Sequence, residues 1–399
     1  MSTIATHLVA QTRTPRRVAQ IGIVFGVLAF FFSLPPVEAR APWVPALIGI
    51  VAVMFGVFAV TRGAGRVGWG AIVIGVIGIA LGVLATRSST GNLESVVTWG
   101  SLIGSTLIWA TPLAYAAVGG MINERSGIVN IGLEGMMLAG AFFGCLGADK
   151  FGSWEMGVVT AMVAGAGFAL LYAFFAIHLR ADQIVGGTAI NFLALGVTGY
   201  FFIQIYGENG TPGNLPRIPN IKIPGLKPHT FLGDSIGNLN LMIWLSFVLL
   251  IVAQIVLFHT PLGLRLRAVG EHPRAAETVG ISVYLTRYLA TMTSGALAAL
   301  GGCYLAVGFV GSFGENMTAG RGFIALAAVI FGNWRPFGAY AAAILFGAAT
   351  ALSFRLAVYS DAASVLFQAL PYVLTLIAVA GVIGRSIPPA SVGKPYAKQ

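Results

Sequence analysis

Asn123-Glu124-Arg125-Ser126-Gly127-Ile128-Val129-Asn130-Ile131-Gly132-Leu133-Glu134-Gly135-Met136-Met137 sets charged groups, two amides and three glycines in the middle of an apolar sequence. A bilayer core holds no water to satisfy ionisable side chains or an interrupted backbone. Such a break persists only where protein packs around it or where it lines a wet path. The stretch therefore predicts a polytopic helical membrane protein with an internal discontinuity, the layout of a transporter or channel.

The rest of the chain agrees. It has 399 residues, 57% of them hydrophobic and 9% charged, with mean hydropathy +0.86. A soluble domain carries about 25% charged residues. Apolar runs fall at about 18–34, 43–61, 67–85, 95–121, 128–148, 156–178, 184–206, 239–258, 284–310, 321–333, 337–357 and 364–384, most of them long enough for a hydrocarbon core about 30 Å thick. The expected fold is all-α. With the N-terminus inside, 15 of the 23 basic residues fall on cytoplasmic loops; of the eight outside, Arg217, Lys222 and Lys227 share one loop. This bias follows the positive-inside rule, so the net charge of +10 reports orientation and not nucleic-acid binding. Run 321–333 is short. It is read as a short span, because a re-entrant segment would move Arg385, Lys394 and Lys398 outside.

The first run follows Arg13, Arg16 and Arg17 and is read as a retained helix, not a cleaved leader, because Pro42 and a second run follow Ala39-Arg40-Ala41. The first three runs carry Gly22/Gly26 and Gly78/Gly82 at helix-packing spacing and almost no polar groups. They are read as an N-terminal extension, residues 1–90, on a core of 91–385, with 386–399 as a cytoplasmic tail. Residues 207–238, rich in proline, form an external loop. Cys145 and Cys303 lie in apolar runs with no C-x-x-C and are read as small packing residues.

The internal loop 259–283 differs in character. Pro273 suits a first helical position and Gly280 an exit, and Glu271 sits where the helix dipole favours an anion. Arg274, Ala275, Ala276, Glu277, Thr278 and Val279 make about two turns between them. Small residues mid-helix let such a helix lie in a groove of another protein; a solvated loop is the alternative reading.

Five stretches carry a family resemblance. Residues 124–137 resemble the signature of permease subunits of bacterial ABC importers, in the nucleoside branch of the branched-chain amino acid/ribose/nucleoside-type permeases. Ala181-Asp182-Gln183-Ile184-Val185-Gly186-Gly187-Thr188-Ala189-Ile190-Asn191-Phe192-Leu193-Ala194-Leu195-Gly196, Ser294-Gly295-Ala296-Leu297-Ala298-Ala299-Leu300-Gly301-Gly302 and Gly320-Arg321-Gly322-Phe323-Ile324-Ala325-Leu326-Ala327-Ala328-Val329-Ile330-Phe331-Gly332-Asn333-Trp334 are similar to three further segments of that family. The fifth, Gly263 to Ile281, resembles its coupling-helix loop, with His272 where many relatives have asparagine. The resemblance covers about 91–385 and implies a type II importer-like permease. It implies that Glu271, His272, Pro273, Arg274, Ala275, Ala276, Glu277 and Gly280 couple to an ATPase subunit. It further implies a second, homologous permease as partner, an extracytoplasmic binding protein, and residence in the bacterial cytoplasmic membrane. Substrates would be nucleosides; ribose- or galactose-type sugars are the alternative.

For the substrate path the candidates are Asn130, Glu134, Thr188, Asn191 and Phe309, with Tyr200, Phe192 and Trp334 as further aromatics. Asn130 and Glu134, four apart, would share a helix face. Glu134 has two readings: a packed structural group or a substrate contact. No catalytic residue, metal site or cofactor is expected. G-x-x-x-x-G-K-[ST] is missing, and the only Gly-Lys pair, Gly393-Lys394, precedes Pro395. Gly63-Ala64-Gly65-Arg66-Val67-Gly68 matches G-x-G-x-x-G but lies between two apolar runs. ATP would therefore bind a partner chain. A stand-alone secondary transporter would explain the broken segment equally well but not the internal capped helix. An intramembrane enzyme lacks a nucleophile or metal set.

Overall fold

The computed structural model describes residues 15, 17–26, 28–29, 43–86, 99–207, 210–212, 214–226, 230–356 and 387–397. The run at 364–384 and the junction near Gly91 lie outside these. Two compact units divide the chain: Met1–Leu102 with Ala349–Arg385, and Ile103–Ala348 with Ser386–Gln399.

In the first unit, a helical segment at Arg17–Gly26 accompanies α1 (Trp43–Thr61) and α2 (Arg66–Thr86). The backbones of α1 and α2 approach where both lack side chains: a Cβ on Gly56 would meet Gly68 O at 2.9 Å. Small residues permit such approach in lipid. Arg355 donates to Ser101 Oγ at 2.9 Å and to Ser101 O at 2.8 Å in the same unit.

The second unit is a helical bundle of α3 (Trp99–Arg125, in this unit from Ile103), α4 (Leu133–Phe151), α5 (Trp154–Ala173, continued by a wider turn to His178), α6 (Gln183–Tyr206), the short α7 (Phe231–Ile236), α8 (Leu241–His259), α9 (Pro261–Glu271), α10 (Pro273–Thr278), α11 (Val283–Cys303, continued to Val310), α12 (Arg321–Phe331) and α13 (Pro336–Leu356, in this unit to Ala348). Strands β1 (Asn220–Lys222) and β2 (Asn238–Asn240) pair antiparallel within the loop after α6. Among the described residues, six helices are long and apolar enough to cross a membrane: Gly100–Arg125, Trp154–His178, Gln183–Tyr206, Leu241–His259, Val283–Val310 and Pro336–Arg355. The core lies where α4 and α5 meet α11. There the Ser294–Gly302 stretch replaces side chains with backbone contact: a Cβ on Gly302 would stand 1.8 Å from Met137 O, and one on Gly140 2.2 Å from Ala299 O. Cys145 and Cys303 are buried and unpaired.

Two elements differ from the sequence expectation. Residues 128–132 are not the start of a span; the helix begins only at Leu133. Their apolar side chains mimic a helical run, but their backbone groups bond to distant side chains. In loop 259–283 a second helix, α9, precedes α10. Pro261 fills its first turn, and Thr260 Oγ1 accepts from Gly263 N at 3.3 Å.

Candidate functional site

The break between α3 and α4 has its backbone satisfied by side chains from afar, as an apolar interior requires. Asn123 Nδ2 donates to Ile128 O at 3.0 Å, and Thr291 Oγ1 donates to Asn123 Oδ1 at 2.7 Å. Gln183 Oε1 accepts from Val129 N at 2.8 Å. The Tyr172 hydroxyl donates to Val129 O. Asn191 bridges both flanks: its Nδ2 donates to Ile131 O at 3.0 Å and its Oδ1 accepts from Gly135 N at 2.8 Å. Asn130 Nδ2 donates to Ser294 Oγ at 3.1 Å. Gly127 takes φ +95°, a turn that few other residues adopt.

Two acidic residues of the same stretch hold α12 at its ends. At the start, Glu134 Oε1 accepts from Gly320 N at 2.8 Å and Oε2 from Gly322 N at 2.6 Å. Gly320 has no capping side chain of its own, so Glu134 supplies the oxygens that the first N–H groups of a helix need. At the exit, Trp334 Nε1 donates to Glu124 Oε2 at 2.5 Å, and Arg125 Nε donates to Trp334 O at 2.9 Å. Asn333 and Trp334 both take positive φ there, +52° and +53°, folding the chain back over the helix end. Thus α12, about 16 Å long at 1.5 Å per residue, is too short to cross alone but is anchored at both ends.

The break also touches the end of the bundle that carries α9 and α10. A Cβ on Gly270 would lie 2.0 Å from Arg125 O, so α9 packs directly on the end of α3. Arg287, 1% exposed, donates to Ser126 O at 3.2 Å. On α10, Ala276 is buried with Val269, Val283 and Tyr396, whereas His272, Arg274, Ala275, Thr278 and Val279 face outward.

Comparison with known proteins follows the same residues. The family described as "Branched-chain amino acid transport system / permease component" matches residues 102–379. The chain belongs to this family. Similar to it are the guanosine ABC transporter permease protein NupQ of Bacillus subtilis (strain 168), 43% identical over 74% of this chain and 96% of its own length, and the nucleoside ABC transporter permease protein NupC of Lactococcus lactis subsp. cremoris (strain MG1363), 38% identical over 74% and 96%. A putative glucose ABC transporter permease protein, TsgC13 of Haloferax volcanii, is 32% identical over 64% and 77%. Bacillus subtilis and Lactococcus lactis each also contribute a second, more distant permease match. No solved structure matches the chain.

In this multi-pass permease the five stretches that carry the resemblance converge in space. Residues 124–137 supply the break, 181–196 supply Gln183 and Asn191, 294–302 supply Ser294, 320–334 supply α12 and Trp334, and the loop before α11 supplies Gly270. The candidate path residues do not form one site. Asn130, Glu134 and Asn191 belong to the knot just described. Thr188 lies on the exposed side of α6 and donates to Ile184 O of its own helix at 2.9 Å. Phe309 lies elsewhere, 38% exposed, with Trp109 against it edge-on at 5.2 Å and Arg321 over the Trp109 ring. Phe192 and Tyr200 are exposed on α6, and Trp334 is buried. An apolar recess of about 540 Å³ lies between α4, α5 and α6, lined by Phe143, Val163, Gly167, Phe168, Leu171 and Leu193. Its one hydroxyl, that of Thr160, donates to Phe143 O, so the recess offers a sugar or base no ready polar partner. Sequence reasoning missed Glu124, Arg125 and Arg287 as structural groups. An acid or arginine at an apolar run's edge reads as a loop charge until the distant carbonyl or indole that it meets is known.

Proposed function

We propose that the chain is the permease subunit of an ATP-driven ABC importer that carries nucleosides inward. The observation that carries this reading is the 43% identity to a guanosine permease along 96% of that protein's length. Nucleosides are preferred to simple sugars because the 43% and 38% relatives are named for guanosine and nucleosides, and the 32% relative for glucose. ATP would bind a separate ATPase subunit, docked on the cytoplasmic face of α9 and α10. The outward residues His272, Ala275, Thr278 and Val279, with Val279 74% exposed, suit such a contact. An extracytoplasmic binding protein would deliver the substrate.

A second permease, homologous to this one, would meet α6. An apolar stretch of 18 residues within it is 17% buried within the chain, the least of the six spans. A narrow stripe of Gln183, Gly187, Ile190, Ala194 and Thr198 holds it to the bundle. Thr188, Tyr200 and Gln204 lie on the exposed side with Phe192. Hydroxyls and an amide facing lipid are costly, so this face suits a partner helix or the path between two permeases. Residues 1–90 are an extension outside that path. The start of the family match at residue 102 supports this division, and a chain lacking 1–90 should retain measurable uptake once inserted.

Uptake of labelled guanosine tests the function directly. Cells that depend on the complete transporter should lose uptake when this chain is deleted and regain it on complementation. Excess unlabelled nucleosides should compete, and glucose or ribose should not. Competition by sugars alone, or uptake unaffected by the deletion, would overturn the nucleoside reading.

A further inference from the structure

The segment 387–397 is not a loose end. Three prolines, Pro388, Pro389 and Pro395, restrict its backbone before it docks. Two successive tight turns follow, with Val392 N donating to Pro389 O and Lys394 N to Ser391 O, both at 3.1 Å. Eleven residues then touch four separate parts of the bundle. Ile387 N donates to Asn333 Oδ1 at 2.9 Å, beside the exit of α12. Ser391 N donates to Gly270 O at 2.9 Å, Ser391 Oγ to Glu271 O at 3.1 Å, and Ala390 N to Glu271 Oε2 at 3.1 Å, closing the end of α9. Gly393, at φ +76°, donates its N–H to Gly127 O at 3.2 Å, inside the break. Tyr396 is the anchor. Its ring, 6% exposed, packs on Ala276 of α10 with Val269 and Val283, lies 5.7 Å from Tyr284, and has the Arg287 guanidinium over it at 5.9 Å. Its hydroxyl donates to Glu277. Burial and that hydrogen bond push the hydroxyl's pKa up to about 12.

We propose that residues 387–397 are a transmission strap: they join α10 to the break at 126–130, so that displacement of α10 is carried to the break through Tyr396, Lys394 and Gly393. The proposal rests on the transport reading above for what moves α10. Its geometric content is independent of it. Arg287 sits at the crossing point, since one guanidinium donates to Ser126 O in the break, contacts Lys394 O in the strap at 3.4 Å and covers the Tyr396 ring. A segment that merely covered exposed surface would not need to bond both ends. The strap's contacts are mostly single hydrogen bonds, each a modest net contribution. They are strong enough to register position and weak enough to exchange during a cycle. Gly393, Lys394 and Tyr396 are positioning residues, since no substrate atom touches them in this scheme.

Two single variants separate a linkage from a plain stabilising contact. Gly393→Pro removes the donor to Gly127 and cannot hold a positive φ, so it breaks the end at the break only. Tyr396→Ala removes the anchor on α10 and the ring beneath Arg287, and Tyr396→Phe restores the ring without the hydroxyl. In the assembled transporter, each break should cut substrate-stimulated ATP hydrolysis roughly tenfold or more while the ATPase remains bound. The double variant should be no worse than either single one, because parts in series fail together. Tyr396→Phe should recover most of the coupling. Independent losses that multiply in the double variant, or single variants that hydrolyse and import within about twofold of the parent, would overturn the strap. Hydrogen exchange on the isolated full chain gives an arm that does not depend on transport. Tyr396→Ala should speed exchange at 126–132 roughly fivefold or more, and Gly393→Pro should do the same at 273–278. Changes confined to the mutated end would overturn the linkage even if the chain proves to be a nucleoside permease. If exchange is transmitted in a chain that imports no nucleoside, the strap stands and the substrate assignment falls.

Discussion

Glu134→Ala should reduce folded, membrane-inserted protein at least severalfold and abolish uptake. The substitution leaves Gly320 N and Gly322 N without acceptors at the buried start of α12. An unmet buried N–H costs about 1–3 kcal/mol, which applies in full at Gly322 and in part at the half-buried Gly320. A folded chain has only about 5–15 kcal/mol in hand. Glu134→Gln keeps the volume and one acceptor but turns an amide donor toward a backbone donor, so it should fall between the two. Thermal unfolding in detergent, read beside uptake per folded molecule, separates the two roles of this carboxyl group. If Glu134→Gln folds as the parent does yet fails to transport, the group acts on the substrate path. If folding and transport fall together, its work is to seat α12.

The resemblance segments told the architecture from sequence because each contains small or amide residues at positions where the chain has no room or no water. Gly135 and Gly302 are glycine because another backbone lies where a side chain would be. Asn191 is an amide because it faces one donor and one acceptor at once. The pairing itself was not legible. Asn130 and Glu134, four apart, read as one helix face, but the helix begins only at Leu133, so the two residues serve different neighbours. Hydropathy could not find the break's true length either, since Ile128, Val129 and Ile131 are as apolar as any helix. The strap was invisible for the opposite reason. Polar, proline-rich residues near the end of a sequence read as a tail, and only Tyr396 hints at an anchor.

The largest effect on partner docking should come from Ala275→Trp, with Ala276→Trp as its contrast. Both alanines were expected to lie in a groove of the ATPase. The structure separates them. Ala276 is 3% exposed and packs on Val269, Val283 and Tyr396 of its own chain, while Ala275 faces outward between His272 and Val279. An indole at Ala276 overpacks the interior, a cost of about 1–3 kcal/mol, and should lower the melting temperature and displace the strap. Ala275 is exposed, so folding with an indole there should match the parent. If α10 seats in the ATPase, the same bulk must clash there, and a comparable cost would weaken capture of the ATPase roughly tenfold or more and abolish nucleoside uptake. Lys222→Ala is the control, because Lys222 is exposed on β1 in the loop after α6. Normal melting, normal ATPase capture and normal uptake for Ala275→Trp would mean that the outward face of α10 is not the docking surface. Normal melting with lost capture would assign that face to the ATPase, because the altered side chain lies on the exposed side of α10.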